Sequence, residues 1–234
     1  MRLAPWLGLE RRLMRRTVPA ILALLAIGFA AVGCGGSSSN GVASKPPTQI
    51  LQTALDAMKA AKSVHMAGTV VQSGKTIKVD MTLYSDGDVN GSFSENGPTV
   101  SLIKIGSNDY LRTTSDFYQS EGVSAQIAGL MANKWIEIPD SSIGLATSFS
   151  ITGLANSITK NHVTVTKGKT ATVDGQPVVS VVASNSGVLY VATTGTAYPV
   201  EITKGSTGTI TFSQWDQGKT PAAPAGARTP ASFA

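Results

Sequence analysis

The chain has 234 residues, of which 14% are charged and 42% hydrophobic, with one cysteine and two histidines. That excludes an intramolecular disulfide framework and a multi-cysteine metal site, and it is not the composition of a disordered chain. The net charge of +5 misleads: Arg2, Arg11, Arg12, Arg15 and Arg16 precede Cys34 with Glu10 as the only acid. The remainder carries 14 basic against 13 acidic residues. Nothing there is denser than Lys167 with Lys169, so no nucleic-acid partner is expected.

Arg11, Arg12, Arg15 and Arg16 form a positive start to an uncharged, mostly apolar stretch from Thr17 to Val32. Sixteen such residues are short for a bilayer-spanning helix and suit the apolar region of a secretory leader. The stretch ends Ala31-Val32-Gly33-Cys34-Gly35-Gly36, which resembles a lipobox, with Ala31 in place of the preferred leucine. The resemblance implies cleavage between Gly33 and Cys34 and acylation of Cys34, a palmitate-type anchor on the extracytoplasmic face of the cell membrane. Two or three acyl chains hold a protein stably, whereas one does so marginally. Residues 1–33 are therefore expected as a signal peptide, and Met14 alone opens a conventional leader. Residues 34–47, Gly/Ser-rich and closing on Pro46-Pro47, are expected as the lipidated cysteine and a flexible tether.

The folded domain is expected over residues 48–216. Apolar residues at Ile50, Leu51, Ala54, Leu55, Met58 and Ala61 predict a helix over 48–62 with Thr48 as N-cap. Strands are expected over 64–72, 76–84, 89–95, 99–105 and 109–113, separated by short turns that demand antiparallel neighbours. In 76–84, Ile77, Val79, Met81 and Leu83 alternate with Lys78, Asp80, Thr82 and Tyr84. Helices are expected over 123–132 and 149–158, with a strand over 133–139 between them. Further strands follow over 163–166, 170–173, 178–184, 188–193, 200–204 and 209–215. Residues 217–234, rich in Pro and Ala, are expected as a disordered tail.

Four stretches resemble actinobacterial cell-envelope lipoproteins of the LppX/LprG class. They are Ser63-Val64-His65-Met66-Ala67-Gly68-Thr69, Asn133-Lys134-Trp135-Ile136, Val173-Asp174-Gly175-Gln176-Pro177-Val178, and Leu189-Tyr190-Val191-Ala192 with Ala197-Tyr198-Pro199-Val200-Glu201-Ile202. Their order and spacing carry the resemblance. It implies an α+β fold: a strongly curved antiparallel sheet, a LolA-like half-barrel, packed on a few helices. It also implies an apolar cavity that takes a lipid or lipoglycan. The residues expected to line it are Met66, Val70, Val79, Met81, Leu83, Leu102, Ile127, Leu130 and Leu154; the opposing expectation is that they form a filled core. A monomer is expected, and the alternative role is an interaction module with a filled core and an envelope protein partner.

No catalytic, metal or cofactor site is expected. There is no Gly-x-Ser-x-Gly elbow. Ser101 and Lys104 share a strand at a spacing that faces them apart, and Ser157 with Lys160 lacks the companion motifs of that chemistry. The three Gly-Lys-Thr matches, at Gly74, Gly168 and Gly218, lack the earlier glycine of a phosphate loop. Asp86 and Asp88 read as a hairpin turn rather than a calcium loop. His65 and His162 show no carboxylate or second histidine at ligand spacing.

Overall fold

The computed structural model describes residues 38–139, 149–159 and 164–233, all within the unit Ser37–Ala234. Cys34, His162, Lys160 and the whole leader lie outside the described residues. The chain enters through a 3-10 turn, Val42–Ser44, and helix α1, Pro47–Ala60. Proline suits the first helical position because it has no amide hydrogen to waste there. Pro46, not Thr48, is therefore the boundary residue, and Thr48 sits inside the first turn. Ile50, Ala54, Leu55 and Met58 are buried at three- and four-residue spacing, as the sequence requires of a helix with one apolar face.

Six strands follow: β1 (Ser63–Gln72), β2 (Lys75–Tyr84), β3 (Val89–Glu95), β4 (Val100–Ile105), β5 (Asn108–Arg112) and β6 (Ile136–Pro139). Helices α2 (Ser115–Ser120) and α3 (Ala125–Met131) separate β5 from β6, and α4 (Ile151–Thr159) precedes the second run. That run is β7 (Val165–Val173), β8 (Gln176–Ala183), β9 (Val188–Ala192), β10 (Pro199–Thr203) and β11 (Gly208–Ser213). The described residues thus hold eleven strands and four helices. The six-residue α2 is the unexpected helix, and β7 is one strand with a bulge between Lys167 and Thr170 rather than two.

All strands belong to one open antiparallel sheet, in the order β6-β5-β4-β3-β2-β1-β11-β10-β9-β8-β7. Each meander pairs sequential neighbours, and β1 with β11 joins the two halves at the centre. The β1–β2 hairpin turns on Ser73 and Gly74, both at positive φ, the two-residue turn whose twist matches its strands. Curvature is built in at Gly68 (φ +154°) and Gly91 (φ +156°). A Cβ there would stand 2.1 Å from the Thr209 carbonyl oxygen or 2.2 Å from that of Asp80. Only glycine lets neighbouring strands coil that closely.

The inner face carries the core. Val64, Met66, Val79, Met81, Leu83, Leu102 and Phe212 meet Leu55 and Met58 of α1 and Ile151 and Ala155 of α4. The other flank of α1, through Ile50 and Ala54, packs on Val179, Val181, Leu189 and Val191. The alternation read for residues 77–83 is present: Val79, Met81 and Leu83 are buried while Lys78 and Asp80 are exposed. Tyr84 departs from it, buried under the C-terminal segment with its hydroxyl donating to the Lys219 carbonyl.

Both flanking segments differ from the expectation of free chain. Asn40 donates through its side chain to the carbonyls of Ala192 and Gly195, and Val42 is buried against the second meander. After β11, Asp216 accepts from the Lys62 amide (2.6 Å) and the Tyr198 hydroxyl (2.6 Å), and Tyr198 stacks on Trp215 at 4.3 Å. The tail then continues as a strap. Gly218 donates to Ser63 Oγ, Arg228 bridges the free edge of β6, and Phe233 is buried beside Tyr118, Met131 and Ile136. Composition reads such a segment as disordered because it has few apolar side chains. One aromatic anchor and a few backbone hydrogen bonds hold it here.

Candidate functional site

Two cavities open on the inner side of the sheet, where the core stops short of filling the curve. The first, about 300 Å³, lies between α4 and the second meander. Its wall is Leu51 of α1, Leu154 and Ile158 of α4, and Val165, Val181, Leu189, Ile202, Ile210 and Phe212 of the sheet. Val181, Leu189 and Phe212 are buried, whereas Ser157, Asn185 and Lys204 are exposed, so the polar groups mark the mouth. Local sequence explains the placement. Ser150 starts α4 by accepting from the Gly153 amide (3.0 Å), which fixes the turn that sends Leu154 and Ile158 toward the sheet.

The second cavity, about 990 Å³, lies between the first meander and α2–α3. Phe93, Val100, Leu111, Phe117, Ile127 and Met131 form an apolar floor. The rim is charged: Lys75 pairs with Glu95, and Asp116 and Glu121 stand nearby without a basic partner among the described residues. The Glu95 carboxylate holds the exposed Lys75 ammonium above its ordinary pKa. Tyr118, also in this wall, has its hydroxyl pushed up to about 12 by burial, so it stays protonated throughout the physiological range. Both volumes fall within the span of about 300–1,000 Å³ usual for small-molecule sites, at its two ends.

Of the nine residues expected to line a cavity, Leu154 lines the first and Ile127 the second. Met66, Val79, Met81, Leu83 and Leu102 are in the filled core. Val70 is half-buried on β1 and lines neither cavity, and Leu130 is 47% exposed on the outside of α3. Apolar alternation identifies the inner face of a strand but not where a void falls along it. The residues that make the first cavity, Val181, Leu189, Ile202 and Ile210, belong to strands that were foreseen, and their period-2 pattern was the available signal.

The sheet's outer face holds one arrangement that spacing concealed. His65 Nε2 lies 2.9 Å from Asp80 Oδ1, and His65 Nδ1 lies 3.1 Å from Ser213 Oγ. The expectation that His65 has no carboxylate is thereby corrected: the hairpin register sets Ala67 opposite Asp80 and brings the pair together. The row is not set up for acyl transfer. Asp80 is 71% exposed, neither of the two inner cavities reaches the row, and β1 and β11 spend their amides on neighbouring strands rather than on an oxyanion. Ser157 Oγ donates to the Leu154 carbonyl (2.7 Å) within its own helix, and Ser101 and Lys104 face opposite sides of β4. Asp86 Oδ1 accepts from the Asp88 amide and Asp88 Oδ1 from that of Gly106, a turn function for both carboxylates. Among the described residues no group of three His, Cys, Asp or Glu is placed to hold a metal ion. Among them, too, no helix is long and apolar enough to cross a membrane.

No protein-family model matches the chain, and no curated protein sequence does. Solved structures do. LprF from Mycobacterium bovis superposes with a TM-score of 0.51 at 18% identity, covering 82% of this chain and 100% of that one. MucB in complex with MucA(peri) gives 0.35 at 12% identity, covering 75% of this chain and 57% of that one. An uncharacterised conserved protein from Thermus thermophilus gives 0.35 at 8% identity, covering 78% and 96%. The likeness to LprF is one of fold. The chain has the α+β architecture of a strongly curved, open antiparallel sheet packed on a few helices, as the LolA-like resemblance implies.

Proposed function

We propose that the chain is a lipid-anchored envelope protein that takes the acyl part of a lipid or lipoglycan in the first cavity, without catalysis. The carrying observation is the lining: a cavity of about 300 Å³ walled almost wholly by aliphatic side chains and Phe212, with Asn185 and Lys204 at its mouth. Each methylene moved from water into such a wall is worth about 0.8 kcal/mol. Lys204 stands where an anionic headgroup would remain in water. The anchor rests on the leader and on Cys34, with signal cleavage at Gly33/Cys34. Removal of residues 1–33 leaves a short link from Cys34 to Asn40, which is already pinned to the domain.

The second reading is an interaction module whose core is filled. It draws support from the first meander, where Met81 and Leu102 are fully buried and packed in one cluster with α1 and α4.

The two are separated by an environment-sensitive fatty-acyl probe titrated into the protein, monitored by fluorescence. Ile158→Trp places a ring in the first cavity from its half-buried helix position and is expected to weaken uptake at least ten-fold. Leu130→Lys, on exposed surface, is expected to leave uptake unchanged. Equal uptake by the wild type and Ile158→Trp would sink the carrier reading.

A further inference from the structure

We propose that the second cavity and the adjoining edge of β6 form a docking site for an extended, basic and apolar segment of a partner protein. Charge complementarity and the chain's own strap carry the inference. The cavity joins an apolar floor to a rim on which Asp116 and Glu121 have no basic partner among the described residues, and both are exposed. A segment with alternating apolar and basic side chains presents both at once, because successive residues of a strand point to opposite sides.

The strap shows the edge pairing and the apolar contact of such a segment in place. From Lys219 to Phe233 it carries Lys219 and Arg228 and no acidic residue. Its backbone pairs with the free edge: Arg228 donates to the Trp135 carbonyl (3.0 Å) and accepts from the Glu137 amide (2.8 Å). Its aromatic end, Phe233, enters the cluster of Tyr118, Met131 and Ile136, with Lys134 and Arg228 over its ring at 5.3 and 5.8 Å. Tyr118 and Met131 also line the cavity, so the strap ends at the cavity's border. Of the described strap residues, Pro230 alone reaches the cavity itself. The strap therefore covers the β6 edge, as an exposed edge requires, while leaving floor and carboxylates available. A partner segment would pair with β6 in its place, the strand-addition mode of peptide recognition, and set its apolar side chains on Phe93, Phe117 and Ile127.

The test uses the full chain held in phosphatidylcholine nanodiscs, with empty nanodiscs as blank. The probe is a fluorescein-labelled Lys-Val-Lys-Leu-Lys-Phe peptide, read by anisotropy, with a twin carrying Glu for each Lys. The lysine peptide is expected to bind and the twin not to. Asp116→Lys with Glu121→Lys, both on exposed positions, is expected to weaken binding at least ten-fold. Phe233→Ala, which frees the strap, is expected to strengthen it at least three-fold. Binding that ignores the double charge reversal, or no binding to either wild type or Phe233→Ala at millimolar peptide, would overturn the proposal. So would displacement of the peptide by the fatty-acyl probe, which would place it in the apolar cavity.

Discussion

The two cavities share a sheet face and differ in what surrounds them. The first is small and its wall aliphatic, with Lys204 as the one charged residue among the described lining; the second is more than three times larger and its rim holds three carboxylates against one ammonium. The difference follows from which elements close them. Around the first, α4 supplies Leu154 and Ile158 against strands rich in valine and isoleucine. Around the second, short helices α2 and α3 and the turn between them supply Asp116 and Glu121 along with Phe117 and Ile127. One curved sheet therefore offers an apolar slot and an electrostatically marked surface, and the closing helices decide which is which.

The largest expected effect tests where the sheet is filled and where it is not. Met81→Ala, at a fully buried position, is expected to cost about 2–5 kcal/mol in urea unfolding. Leu154→Ala, on the first cavity's wall, is expected to cost about 1 kcal/mol, because its side chain already borders a void. Equal costs would mean that the wall is core. Next is curvature. Gly68→Ala forces an unfavourable backbone region and a Cβ 2.1 Å from the Thr209 carbonyl oxygen, so a loss of about 2–4 kcal/mol is expected. Gly129→Ala, at an exposed position of α3 with nothing within 4 Å, is expected to stabilise by up to about 1 kcal/mol. Both are read by thermal denaturation.

A smaller effect separates the two rims. Lys204→Glu is expected to reduce uptake of an anionic acyl probe about three-fold, the size of one exposed charge interaction, and to leave a neutral probe unaffected. Asp116→Lys should change neither. The smallest effect is acid stability. Hydrogen bonds from the Tyr198 hydroxyl and the Lys62 amide hold the Asp216 carboxyl below its ordinary pKa of 3.8. A carboxyl lowered on folding contributes stability that is present above 3.8 and lost as pH falls through the lower folded value. Asp216→Asn is therefore expected to flatten that part of the stability profile below about pH 4, measured by urea midpoints. At the alkaline end the Tyr198 hydroxyl, pushed up to about 12 by burial and by Asp216, works in reverse. Its stabilisation is full below 10.0 and lost as pH rises through about 12.

Much of the fold was legible because hairpins announce themselves locally. The alternation of residues 77–83, the Ser73-Gly74 and Asp174-Gly175 turns, and the apolar face of α1 each depend on neighbours within a few positions. What escaped depends on register or on distant anchors. His65 meets Asp80 only once the β1–β2 pairing is known, although a two-residue turn at Ser73-Gly74 already fixes that pairing. The strap escaped because Phe233 and Arg228 act singly in a segment whose composition denies it a core. The cavity was legible as a face and not as a place: Met66, Val79 and Met81 of β1 and β2 lie in the filled core, whereas Ile202 and Ile210 of β10 and β11 also border the first cavity.

The most direct measurement is native mass spectrometry of the chain from Gly35 onward, expressed in a mycolate-bearing actinobacterial host, with lipid analysis of what co-purifies. A one-to-one adduct of defined mass is predicted, lost on denaturation and lost in Ile158→Trp. An adduct-free mass that persists after incubation with envelope lipid extract would contradict the account and favour the interaction-module reading.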